Sequence, residues 1–227
     1  MIDWRTEHSQ IILAFLNYLN ANSGRFVLKG GTALHLCYNL DRFSEDIDLD
    51  GREKGLPALI SEFCHNNGYA YRIAKESDTV ERCFINYGNV GKPLKIEASY
   101  RRKDIPPDEI KKINNILVYD IEPICLMKCA AYAGRDKIRD LYDLAFICNN
   151  YFDLLSEQAK AVMRNTVEYK GIEQFDYVIR EQADELIDNV KLSEDFLNMY
   201  DKLQLLYDKN ELKMLSETIS EFNNQNI

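Results

Sequence analysis

Apolar residues recur at Ile11, Ile12, Phe15, Leu16 and Leu19, three and four apart, and predict an amphipathic helix over residues 4–19. The next run, Arg25-Phe26-Val27-Leu28-Lys29, reads as a short strand that Gly30-Gly31 breaks. Thr32 stands where a helix cap belongs, ahead of Ala33, Leu34, Leu36 and Cys37. Ile47-Asp48-Leu49 reads as a second strand and residues 57–67 as a second helix; three further strands are predicted over 69–74, 80–87 and 94–100. From Glu122 the spacing is helical throughout, with segments over 137–150, 156–168, 173–189, 192–207 and 209–222, and Pro123 sits in a first turn. Leu192, Phe196, Leu197, Tyr200, Leu203 and Leu206 are the clearest such stripe. The pattern predicts an α+β part, residues 1–120, followed by a helical part, residues 121–227. No internal repeat breaks it, and only the tail 223–226 is of low complexity.

Composition fits a folded globular chain: of 227 residues, 46% are hydrophobic and 29% charged. No apolar run approaches the ~18 residues of a membrane span, and the first ten residues are polar, unlike a secretory signal. The six Cys form no CxxC pair, and the three His are not spaced with them as zinc ligands. Four of the Cys lie in apolar helical stretches, so reduced thiols and a cytoplasmic setting without membrane attachment are expected. The net charge of -9 argues against a nucleic-acid partner. Its distribution weakens that argument. Residues 92–139 carry 11 basic and 7 acidic side chains, a local excess that suits either a polyanion or an ordinary solvated face.

Candidate chemistry concentrates in residues 26–50. Alternation along a strand puts Asp46, Asp48 and Asp50 on one face, opposite Ile47 and Leu49. Carboxylates so close repel one another unless a cation lies between them, and Mg²⁺ takes this oxygen donor set. Gly30 and Gly31, between a strand and a helix, let the backbone approach a phosphate closely. Thr32 adds a hydroxyl. Glu97 lies on the polar face of Leu94-Lys95-Ile96-Glu97-Ala98-Ser99. If that strand pairs beside Asp46–Asp48, three carboxylates converge and suit two Mg²⁺ ions.

These segments resemble a known family. Lys29-Gly30-Gly31-Thr32-Ala33-Leu34 followed by Arg42-Phe43-Ser44-Glu45-Asp46-Ile47-Asp48-Leu49 is similar to the first motif of the AbiEii/AbiGii nucleotidyltransferase toxins, members of the DNA polymerase β-like superfamily. Lys95-Ile96-Glu97 resembles the second motif, although its carboxylate there is commonly Asp. Residues 122–130 resemble the helix that presents a lysine, here Lys128, to the nucleotide. Residues 135–144 resemble the closing motif that holds Arg139 and Asp140. By spacing alone, Lys128 either snorkels to solvent or meets an anion, and Asp136, Asp140 and Asp143 share one helix face. Arg139 and Asp143 are spaced for a surface ion pair.

The resemblance implies a polymerase β-like α+β core, a mixed sheet with flanking helices, ahead of a helical half that contributes Lys128 and Asp140 to the site. It implies transfer of NMP from an NTP to an acceptor hydroxyl. Asp46, Asp48 and Glu97 would hold two Mg²⁺ ions, or Mn²⁺ in their place. Lys29, Gly30, Gly31, Thr32, Ser44, Lys128 and Arg139 would contact the nucleotide, and Asp140 the nucleotide or acceptor. The implied acceptor is tRNA and the implied partner an antitoxin from a neighbouring gene. A small-molecule or protein acceptor is the alternative, as is a nucleotide-binding module without catalysis.

Overall fold

The computed structural model describes residues 4–88 and 91–205. The chain divides into two compact units, Met1–Asp120 and Ile121–Ile227. The expected helix over 209–222, the tail 223–226 and Leu206 lie outside the described residues.

The first unit runs α1 (Trp4–Asn22), β1 (Phe26–Lys29), α2 (Gly30–Cys37), β2 (Ile47–Gly51), α3 (Leu56–Asn67), β3 (Ala70–Glu76), β4 (Val80–Asn86), β5 (Leu94–Ser99), β6 (Ile110–Ile113) and β7 (Ile116–Tyr119). Among the described residues these strands form one sheet in the order β3-β4-β5-β2-β1-β7-β6. β2 pairs with β5 in parallel, as β1 does with β7, and the other neighbours are antiparallel. The sheet is mixed because its central partners come from distant segments. Alternation does the rest: Ile47, Leu49, Ile96, Ala98, Cys83 and Ile85 are buried. Ile11, Ile12, Phe15, Leu16 and Leu19 of α1 are buried too, and each such side chain is worth about 1.5–3 kcal/mol when fully buried.

In the first unit two features depart from the sequence expectations. β6 and β7 form a hairpin that the apolar pattern did not flag, turning at Asn114 and Asn115 with φ of 50° and 65°. Asn tolerates that left-handed conformation, which the favoured two-residue hairpin turn requires. Thr32 does not cap α2: the helix starts at Gly30, with Lys29 in the cap position and no side-chain cap bond.

The second unit holds α4 (Ile121–Gly134), α5 (Ile138–Tyr151), α6 (Glu157–Glu181) and α7 (Asn189–Lys202). The segments expected over 156–168 and 173–189 form one element kinked at Gly171, where φ is 70° and ψ 175°. That conformation suits glycine alone. The helix stops at Glu181, so residues 182–188 are a connection rather than helix. All six cysteines are free thiols, five of them buried. Among the described residues no helix is long and apolar enough to cross a membrane.

Candidate functional site

Sheet register assembles the carboxylates. Asp48 on β2 lies opposite Glu97 on β5 and opposite Lys29 on β1; Glu97 in turn lies opposite Arg82 on β4. Directly opposed residues share a face, so Arg82, Glu97, Asp48 and Lys29 form one charged row across four strands. Asp46 immediately precedes β2, and the Lys95 ammonium reaches its carboxylate at 2.8 Å. Arg82 holds Glu97 at 2.5 Å. Lys29 turns to the buried Asp50 at 2.5 Å, and the Tyr119 hydroxyl donates to the other oxygen of Asp50 at 2.9 Å. Asp46, Asp50 and Glu97 thus each have a cation in contact, which offsets part of the repulsion that alternation alone would leave.

Two side chains fix the backbone around Asp46. Thr32 donates its hydroxyl hydrogen to the Asp46 carbonyl and stands 2.9 Å from the Ser44 hydroxyl. His8 reaches the Glu45 carbonyl through Nε2 at 2.6 Å, while Nδ1 meets the Tyr87 hydroxyl. A carbonyl only accepts, so Nε2 carries the proton and Nδ1 accepts from Tyr87. Burial pushes the Tyr87 hydroxyl up to about 12, which keeps its proton available for that bond.

The glycine turn lies directly against this carboxylate face. A Cβ built on Gly30, whose φ is 75°, would stand 3.1 Å from Asp48 Oδ2. On Gly31 it would stand 2.7 Å from Arg42 Nη2 and 2.9 Å from Ser44 Oγ. Arg42 is buried, and only glycine lets its guanidinium come this close to the first turn of α2. By helix geometry the first-turn N–H groups lack intrahelical acceptors and carry the positive end of the dipole. Gly31→Ala is therefore expected to displace Arg42 or Ser44 and to weaken binding of a phosphate ligand several-fold with little loss of fold, measured by titration and circular dichroism.

Asp48 is the most perturbed acid here. Burial raises its pKa first; Lys95 and Lys29 pull it down, and Asp46 and Glu97 push it up. For Lys95, burial works against the charge, but Asp46, Asp48 and Glu97 outweigh it and the pKa is raised. All three carboxylates therefore act on one ammonium. Their hard oxygen donors fit a divalent cation in kind. Among the described residues, however, no three His, Cys, Asp or Glu side chains stand together at metal-ligand spacing. Lys95 and Arg82 intervene.

In the second unit Lys128 meets anions rather than solvent. Its ammonium lies 2.5 Å from Asp143 Oδ2 and 3.4 Å from Asp140 Oδ1, and both carboxylates are buried. Arg135 grips Asp140 through Nε at 2.7 Å and Nη2 at 3.2 Å. Asp136 precedes α5, so it does not share that helix face, and Arg139 pairs with Asp184 at 2.5 Å. Gln182 accepts from the Ile138 N–H at 3.0 Å and donates to the Asp136 carbonyl at 2.5 Å, bracing the start of α5. A cavity of about 570 Å³ opens here, lined by Arg135, Lys137, Arg139, Asp140, Gln182 and Asp184 among others.

The basic stretch 92–139 is not a free basic surface. Lys92, Lys95, Arg102, Lys111, Lys128, Arg135 and Arg139 all sit in ion pairs. Of the residues now seen at the sites, sequence reasoning passed over His8, Arg42, Arg82, Lys95, Gln182 and Asp184. Lys95 and Arg42 stood inside the quoted motifs; the others had no local signal, because their partners lie far along the chain.

Residues 14–213 match the family described as nucleotidyl transferase AbiEii toxin, type IV TA system. No curated protein matches the chain. Among solved structures, the chain is similar to JHP933 from Helicobacter pylori, with 26% identity, a TM-score of 0.75 and full coverage of both chains. It is equally similar to a putative nucleotidyltransferase from H. pylori, with 26% identity and a TM-score of 0.75 over 98% of this chain and 99% of that one.

Proposed function

The chain belongs to the AbiEii family of nucleotidyltransferase toxins of type IV toxin–antitoxin systems, and from that premise we propose that it transfers NMP from an NTP to a hydroxyl of tRNA. Its α+β architecture is that of a polymerase β-like nucleotidyltransferase. The observation that carries the reading is the contact between glycine turn and carboxylate row, with Asp48 Oδ2 only 3.1 Å from where a Gly30 side chain would begin. On this reading the glycine turn would receive the phosphates beside carboxylates whose oxygen donors suit a hard cation in kind.

Asp46, Asp48 and Glu97 would hold two Mg²⁺ ions, for which Mn²⁺ would substitute. Bound there, the ions supply charge stabilisation for the triphosphate and lower the pKa of the attacking hydroxyl. The chain's own residues do the positioning. Gly30 and Gly31 admit the phosphates to the first turn of α2, with Ser44 and Arg42 beside them. Thr32 and His8 hold the Asp46 backbone in place. Glu97 takes the acceptor proton as the hydroxyl oxygen bonds to the α-phosphorus, and the α–β bridging bond breaks to release pyrophosphate. In-line positioning and electrostatics supply the rate. Lys29 acts through Asp50 and Asp48 rather than on phosphate. In the second unit, Lys128, Arg139 and Asp140 serve the nucleotide or acceptor, as the family resemblance implies.

tRNA as acceptor draws support from the family resemblance and from Arg101, Lys103, Lys112 and Lys137, the four exposed cations of residues 92–139 with no ion pair among the described residues. Because seven cations of residues 92–139 are held in ion pairs, a small-molecule or protein hydroxyl is the second reading. Incubation with labelled NTPs, Mg²⁺ and total tRNA is expected to label RNA, with binding that weakens steeply as salt rises. No labelled RNA with any nucleotide, or salt-insensitive acceptor binding, favours the second reading. A cognate antitoxin from a neighbouring gene is the expected protein partner.

A further inference from the structure

We propose that Lys95 is a resident counter-ion of the carboxylate site, which a divalent cation must displace and which then turns to the triphosphate of the incoming nucleotide. The inference rests on the reading of Asp46, Asp48 and Glu97 as metal ligands.

Of the cations around the row, only Lys95 is placed for this. Lys29 is committed to Asp50, whose side chain is 6% exposed and which Tyr119 also holds, so that pair stays formed. Arg82 approaches Glu97 from β4, the strand on the side away from Asp48. Lys95 is on β5 itself, two residues before Glu97, and its ammonium feels all three carboxylates while contacting Asp46. Both members of the Lys95–Asp46 pair are partly exposed, at 29% and 45% of their side-chain surface. Such a pair is weak and exchangeable.

A doubly charged cation entering among these carboxylates removes the anions that held the ammonium and repels it. That penalty weakens metal binding to the nucleotide-free chain. A triphosphate arriving with the metal brings new anions beside the carboxylates, and the displaced ammonium can pair with them. The same side chain therefore opposes metal binding and favours nucleotide binding. A residue with a merely structural role moves both in one direction.

Mn²⁺ binding to the full chain without nucleotide, read by electron paramagnetic resonance, separates these cases. Lys95→Met is expected to bind Mn²⁺ about tenfold more tightly than the wild type, and to show a several-fold higher KM for NTP. Lys95→Arg keeps the charge and is expected to restore both values. Lys92→Met removes a neighbouring cation that pairs with Glu45, outside the three carboxylates, and leaves Mn²⁺ affinity unchanged. Unaltered or weaker Mn²⁺ binding in Lys95→Met overturns the proposal while leaving the metal site standing. Absence of Mn²⁺ binding in every variant overturns the metal reading, and the proposal with it.

Discussion

Asp48→Asn is expected to lower nucleotidyl transfer by about 10³-fold or more and, in the same protein, to raise the thermal midpoint in EDTA at pH 7. The loss follows from removing the central charge of the row, the one carboxylate that faces both Glu97 and the glycine turn. The gain follows from its environment. Burial is the largest influence on the Asp48 carboxyl and raises its pKa, so the folded chain holds that proton more tightly than the unfolded one. Ionised Asp48 therefore costs stability. The cost is absent below the unfolded pKa of about 3.9 and complete above the raised folded value. Asparagine carries no charge at any pH, so its advantage over Asp48 is present at pH 7 and fades on acidification. A variant that loses activity and stability together would mean that Asp48 braces the sheet instead.

The second large effect lies in the helical unit. Lys128→Met removes the ammonium that stands between the buried Asp143 and Asp140 carboxylates. Breaking a buried pair from one side costs about 3–5 kcal/mol, because the remaining charge keeps its desolvation penalty. Asp143→Asn should cost less, since Lys128 keeps Asp140 at 3.4 Å. Adding Asp143→Asn to Lys128→Met should recover part of the loss. Urea denaturation of the three variants measures this. Equal, small losses in both single variants would show the cluster to be well solvated.

Much of the first unit was legible because its signals are local. Alternation located β2 and β5, and the spacing of Ile11 to Leu19 located α1. The Asn114-Asn115 turn was equally local and was passed over: flanking Ile110-Lys111-Lys112-Ile113 looked like a charged surface stretch, yet β7 beside it pairs with β1 within the sheet. The carboxylates of the site could be read from strand geometry. Their cations could not, because Lys95 and Arg82 reach Asp46 and Glu97 only once three strands are in register. In the second unit, periodicity continued α6 past its true end. With the helix stopping at Glu181, Gln182 and Asp184 are available to brace Ile138 and Arg139. Asp136 was misassigned for a related reason: i, i+4, i+7 spacing says nothing about where a helix begins, and α5 begins at Ile138.

Transfer at the α-phosphate is the central claim, and the position of the label tests it most directly. Wild-type chain and Asp48→Asn, each with Mg²⁺ and total tRNA, are given NTP labelled at either the α- or the γ-phosphate. The wild type is expected to place α-label in RNA and release γ-label as pyrophosphate, while Asp48→Asn does neither above background. Retention of γ-label in the RNA, or undiminished α-label transfer by Asp48→Asn, would contradict nucleotidyl transfer at this site.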